Sequence, residues 1–112
     1  STTSTSWVDR TGGSITLTPP GSGNAYYLLI ARVTCYRDAA SSMKLTFKVD
    51  GSVTNDEEGY SASATAETVT IVRRVSVTAG TSHTFKLCFA SGNGGNCRVY
   101  KHNFVALHLG NY

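Results

Sequence analysis

This chain is short of the residues that build helices, membrane spans and catalytic centres. Its 112 residues include two prolines, one methionine, one tryptophan and three cysteines, and only 15% are charged. Glu, Gln and Met, all good helix formers, are scarce, and no stretch shows a sustained helical period. No apolar run approaches the roughly 18 residues of a membrane span, so no membrane insertion is expected. A charged segment followed by an apolar run is missing at the start, which gives no signal-peptide pattern. There is no G-x-S-x-G nucleophile turn, no C-x2-C pair and no zinc spacing. The glycine runs at 21–24 and 91–96 do not follow a strand and open a helix, as a phosphate loop must. A non-enzymatic protein with no cofactor and no metal is the expectation.

The net charge is +3. The cations Arg10, Arg32, Arg37, Lys44, Lys48, Arg73, Arg74, Lys86, Arg98 and Lys101 are scattered, and only Arg73-Arg74 are adjacent. That is not the clustered stripe of a nucleic-acid binder, so no nucleic-acid partner is expected.

Thr, Ser, Val, Gly and Tyr are abundant instead. β-Branched and aromatic residues suit a pleated, half-buried surface, which points to an all-β chain. The length suits one domain with its own core. The polar segment S-T-T-S-T-S reads as a flexible N-terminal arm over 1–6, followed by a single domain over 7–112.

Strand signals recur at short spacing. Trp7-Val8 begins an apolar element that T-G-G (11–13) breaks, and Ser14 to Thr18 alternates. P-P-G-S-G-N (19–24) is a turn. Ala25 to Tyr36 is the strongest strand. Its odd positions Tyr27, Leu29, Ala31, Val33 and Cys35 are apolar, and so are Tyr26, Leu28 and Ile30 among the even ones. A strand in a two-layer sandwich meets the core with one face only. The second apolar face of this strand therefore needs another cover, and a further subunit supplies it most simply. Met43, Leu45, Phe47 and Val49 point inward from the next strand, and Asp50-Gly51 turns the chain. Residues 52–66 are polar, with a short strand near Tyr60 to Ala64. Val69, Ile71, Val75 and Val77 share a face with Arg73, an inward charge that ends a buried stretch, marks a bulge or meets an acidic partner. Phe85, Leu87 and Phe89 point inward. The last strand carries two apolar sets, Val105, Leu107 and Leu109 against Tyr100, Phe104 and Ala106. About eight strands and no helix fit a jelly-roll or related β-sandwich.

Cys88 and Cys97 flank F-A-S-G-N-G-G-N. Facing each other across a hairpin they would form a disulfide, which needs Cα atoms about 4.4–6.8 Å apart; two half-buried thiols are the alternative. Asp56, Glu57 and Glu58, with Asp50 nearby, form a solvated acidic loop suited to contact with a partner. The aromatics serve sugar stacking or packing equally well.

The order of elements resembles the small tumour-necrosis-factor-like jelly-roll modules of bacteriophage tail fibres, decoration proteins and related bacterial surface proteins. Four segments carry the likeness: T-S-T-S-W-V-D-R-T-G-G-S-I-T-L-T-P, A-Y-Y-L-L-I-A-R-V-T-C-Y, M-K-L-T-F-K-V-D-G, and V-S-V-T-A-G-T-S-H-T-F-K-L with F-V-A-L-H-L-G. The resemblance implies an antiparallel jelly roll assembled as a homotrimer at a virion surface or outside the cell. It implies capsid or tail proteins, or a host-surface receptor or glycan, as partners. Tyr26, Leu28 and Ile30 would then pack between subunits with Phe104 and Ala106, and His108 would stand near the three-fold axis. Loops 37–42, 50–66 and 90–96 would meet the outside partner. A carbohydrate-binding module of a secreted protein is the alternative reading.

Overall fold

The computed structural model describes residues 2–37, 42–55, 58–61 and 66–112. They form eight strands: β1 (Val8–Leu17), β2 (Asn24–Arg37), β3 (Met43–Val49), β4 (Ser52–Val53), β5 (Gly59–Ser61), β6 (Glu67–Thr78), β7 (His83–Ser91) and β8 (Cys97–Asn111). Two antiparallel sheets result. One has the order β1-β7-β3-β4, with β5 also paired to β3; the other has the order β6-β2-β8.

The period of two along each strand builds the core between these sheets. Ala25, Leu29, Ala31, Val33 and Cys35 of β2 have no exposed surface, and neither do Met43, Leu45 and Phe47 of β3 or Phe85 of β7. Phe47 stacks on Phe104 with ring centroids 5.5 Å apart, and Tyr27 lies 5.6 Å from Phe85. These contacts bridge the two layers and make the chain an all-β sandwich.

β1 is a single strand, although T-G-G reads as a break. Its register on β7 jumps between Asp9 and Ser14, from Cys88 to Lys86. The extra residues form a bulge, and Gly12 at φ 76° supplies the left-handed conformation it needs. Asp50-Gly51 forms the expected tight turn, with both residues at positive φ between paired Val49 and Ser52.

Two expectations change. Residues 2–6 are tied down: Thr2 exchanges two 2.8 Å backbone hydrogen bonds with Cys97, and the Ser91 amide donates to Ser4 O. The free edge of β8 offered the Cys97 groups, and the end of β7 offered the Ser91 amide. Cys88 and Cys97 do not face each other, because β7 and β8 belong to different sheets and the 92–96 turn crosses between them. Cys88 Sγ donates to Asp9 Oδ1, Cys97 Sγ donates to Ser42 O, and all three cysteines are buried thiols.

Phe47→Ala is expected to cost about 3–5 kcal/mol, since it empties the centre of the core and strips Phe104 of its stacking partner; urea denaturation reads this loss. Thiol titration in denaturant is expected to find three reactive cysteines per chain, against one if a bridge existed.

Candidate functional site

The outer face of β6-β2-β8 is divided along its length. At one end, Leu28 and Ile30 of β2 stand beside Val72 of β6 and Val105 and Leu107 of β8, through the pairs Leu28↔Leu107, Ile30↔Val72 and Ile30↔Val105. Val72 is 51% exposed, Val105 51% and Leu107 50%. Leu109, 39% exposed, continues the row. Tyr26 closes this end, edge-on to Tyr112 at 5.2 Å, with the Arg74 guanidinium 4.4 Å from its ring centre.

Polar residues take over from Arg32. A cleft of about 200 Å³ is lined by Arg32, Thr34, Thr68, Lys101, His102 and Asn103. Cross-strand pairing assembles it: Arg32 opposes Asn103, and Thr34 opposes both Thr68 and Lys101. The Thr34 and Thr68 hydroxyls lie 3.3 Å apart. Just beyond the cleft the β2–β8 register shifts between Thr34 and Cys35, and the extra residue on β8 is Tyr100. Its ring stacks on Tyr36 at 5.4 Å, with the Arg98 guanidinium 5.0 Å from its centre. His102 is held from β1, accepting at Nδ1 a 3.1 Å hydrogen bond from Arg10 Nε.

Of the residues expected between subunits, Tyr26, Leu28 and Ile30 do lie on this outer face. Phe104 and Ala106 instead pack against the core, and His108 lies 5.0 Å from the inward ring of Tyr27. They pair with Ala31, Leu29 and Tyr27, the odd positions of β2, and directly opposed residues share a face. On β8 the apolar residues beside Leu28 and Ile30 are Leu107 and Val105 instead.

Two acidic residues expected to contact a partner are engaged within the chain. Glu58 takes a two-pronged ion pair from Arg73, at 2.5 and 2.8 Å, which supplies the acidic partner for that inward-facing arginine. The guanidinium holds the Glu58 carboxyl below its usual 4.5. Asp50 accepts from His83 Nδ1 at 2.6 Å and from the Thr84 amide at 2.9 Å, and its carboxyl is lowered accordingly. His83 is raised above its usual 6.5, chiefly by that bond to Asp50. Asp56 and Glu57 lie outside the described residues, as does most of the 37–42 loop.

The outer face of the larger sheet carries a third charged group. Lys48 and Lys86 oppose each other across β3 and β7, and Asp9 bonds both, at 3.0 and 3.1 Å. Hydrogen bonds from Lys48, Cys88 and Lys86 bring the Asp9 carboxyl down to about 2. Burial, with the bond to Asp9, pushes the Cys88 thiol up to about 12, the opposite of a reactive nucleophile. Among the described residues no three His, Cys, Asp or Glu side chains converge as metal ligands would.

No protein-family model matches the chain, and no curated protein matches it. A solved structure described as the EclA C-terminal domain, a sugar-binding protein, aligns over 91% of this chain and 79% of its own, at 19% identity and a TM-score of 0.44. A likeness of that size defines neither a family nor a site.

The two ion pairs set a pH window. Glu58 is depressed on folding, so its contribution is present above pH 4.5 and is lost as pH falls through its folded value. His83 is raised, so its contribution is complete below pH 6.5 and is lost as pH climbs through its folded value. Thermal midpoints are expected to be highest between those limits. Glu58→Gln should make the acid limb shallower, leaving the share of Asp9 and Asp50, and His83→Gln should flatten the alkaline limb, each read by melting temperature against pH.

Proposed function

We propose that this chain is a non-enzymatic structural and binding module that associates with copies of itself through the apolar half of the β6-β2-β8 face. The observation that carries this is the row Val72, Val105 and Leu107, each about half exposed around Leu28 and Ile30 on one continuous surface. Folded monomers rarely leave so contiguous an apolar patch in water.

A second copy fits this face on charge. Among the described residues Arg74 is the only charged side chain at the apolar end, and it is already drawn over Tyr26, so covering Leu28, Ile30, Val105 and Leu107 buries no unpaired ion of that set. The molecule measures 48 × 21 × 20 Å. The apolar half of its long face is on the order of 500 Å², a small contact against the roughly 800 Å² per partner of a standard interface. A trimeric jelly roll at a phage or virus particle surface is the assembly that the sequence resemblance implies, and a shared apolar sheet face suits it.

Carbohydrate binding is the second reading, favoured by one specific feature: a cleft lined by polar residues on the rigid sheet rather than on a loop. It occupies the opposite end of the same face, so self-association and ligand binding do not compete for residues.

Light scattering is expected to give a multiple of the 11.9 kDa chain mass, three for a trimer. Leu107→Glu should reduce it to single chains with the circular-dichroism spectrum unchanged, because Leu107 is half exposed and the monomer core does not need it. A wild-type protein that scatters as single chains at tens of micromolar would overturn the assembly reading.

A further inference from the structure

We infer that the Arg32–Lys101 cleft takes the acidic group of a saccharide, a carboxylate or a sulfate ester, with the neutral side chains around it bonding the sugar hydroxyls. This deepens the carbohydrate-binding reading and rests on it.

The charge distribution is the first support. Four cations, Arg32, Arg74, Arg98 and Lys101, stand on the outer face of β6-β2-β8. No Asp or Glu side chain among the described residues shares that face. Asp9 lies on the opposite sheet between two lysines, Glu58 is bonded to Arg73, and Asp50 to His83. Glu67 pairs with Cys35, whose side chain points into the core, so it belongs to the inner side.

The four cations are not equivalent. Arg74 lies over Tyr26 and Arg98 over Tyr100. Arg32 and Lys101 have neither a ring contact nor an ion pair among the described residues, and both line the cleft. They are diagonal neighbours across the β2–β8 ladder, since Arg32 opposes Asn103 and Lys101 opposes Thr34. Two like charges so placed repel one another. An oxyanion between them removes that repulsion and gains charge-assisted hydrogen bonds, with the guanidinium fork suited to two oxygens at once.

The neutral lining identifies what carries the anion. Thr34, Thr68 and Asn103 offer hydroxyl and amide groups that both donate and accept, which matches sugar hydroxyls. A peptide would call for an apolar pocket beside the charge, and the outward side chains that line this cleft, Arg32, Thr34, Thr68, Lys101 and Asn103, are all polar. A nucleic-acid strand would call for cations repeated along its phosphates, and the cleft holds two. Its 200 Å³ is below the roughly 300–1,000 Å³ of sites enclosing a whole drug-sized ligand. One acidic ring of a longer glycan fits that space.

Isothermal titration of the full chain should compare lactose, sialyllactose, 6-sulfated lactose, inorganic sulfate and a short oligothymidylate. At least one acidic sugar is expected to bind ten-fold or more tightly than lactose and than inorganic sulfate. Arg32→Ala and Lys101→Ala should each remove most of that preference, and Thr68→Ala should weaken the acidic sugar while leaving sulfate unchanged. Both cations are exposed on the sheet, and an unchanged melting temperature and oligomer mass would show that their loss acts at the cleft. Lactose binding as tightly as its acidic forms would overturn the inference and leave the carbohydrate-binding reading standing. No binding of any sugar would overturn both. Equal binding of free sulfate, or tighter binding of the oligothymidylate, would show that the cleft does not select a saccharide.

Discussion

Strand β2 sits at the centre of the smaller sheet, and its two faces set the requirements for the rest of the molecule. Its odd residues from Ala25 to Cys35 are buried against Phe47, Phe85 and their neighbours across the sandwich. Its even residues begin with Tyr26, Leu28 and Ile30, and the sandwich has no third layer to cover them. At Arg32 the outward residues become hydrophilic, through Arg32 and Thr34. The flanking strands follow the same division, with Val72, Val105 and Leu107 beside the apolar half and Thr68, Lys101 and Asn103 beside the polar half. Three segments distant in sequence therefore agree on one boundary across the sheet. A core requirement alone would not produce that agreement, because none of these residues faces the core.

Ion pairing accounts for the charge that remains on this face. An inward arginine at position 73 is costly unless it is paired, and Glu58 pairs it in a two-pronged bond. Lys48 and Lys86, opposed on neighbouring strands, would repel without Asp9 between them. His83 and Asp50 join the β3–β4 turn to the start of β7. Each of these pairs closes a structural problem elsewhere in the fold. Together they use three of the four carboxylate side chains in the described residues and leave the cations of the β6-β2-β8 face without acidic neighbours on their own side.

The alternation of single strands was legible in the sequence, and so was the all-β class, because side-chain parity within a strand is a local property. Met43 to Val49, Phe85 to Phe89 and the Asp50-Gly51 turn needed nothing beyond their own residues. The doubly apolar character of β2 was visible for the same reason. Which apolar set of β8 lies beside Leu28 and Ile30 was not visible, since register between distant strands is a tertiary property and a one-residue slip reverses every side chain. The bulge at Tyr100 makes this acute: it inserts one residue and changes the parity of β8 against β2. That is why Phe104, Ala106 and His108 face inward while Val105, Leu107 and Leu109 face out. The crossing of the 92–96 turn between sheets was equally invisible, and it separates Cys88 from Cys97.

The cleft shows why a site of this kind escapes motif reading. Its residues come from three strands and include no consecutive pair on β2 or β6, so no short pattern encodes it. Arg32 and Lys101 look like two of many scattered cations until the β2–β8 ladder makes them diagonal neighbours. What distinguishes them is the context of the other two cations on this face, each of which lies over a ring. A charge that stabilises the fold is expected to show such a partner, because holding an ion near other ions of the same sign without one works against folding. The two on this face with neither a ring contact nor an ion pair among the described residues stand together, on rigid strands, beside hydroxyls and an amide. The proposed oxyanion would give these two the partner that no contact among the described residues supplies.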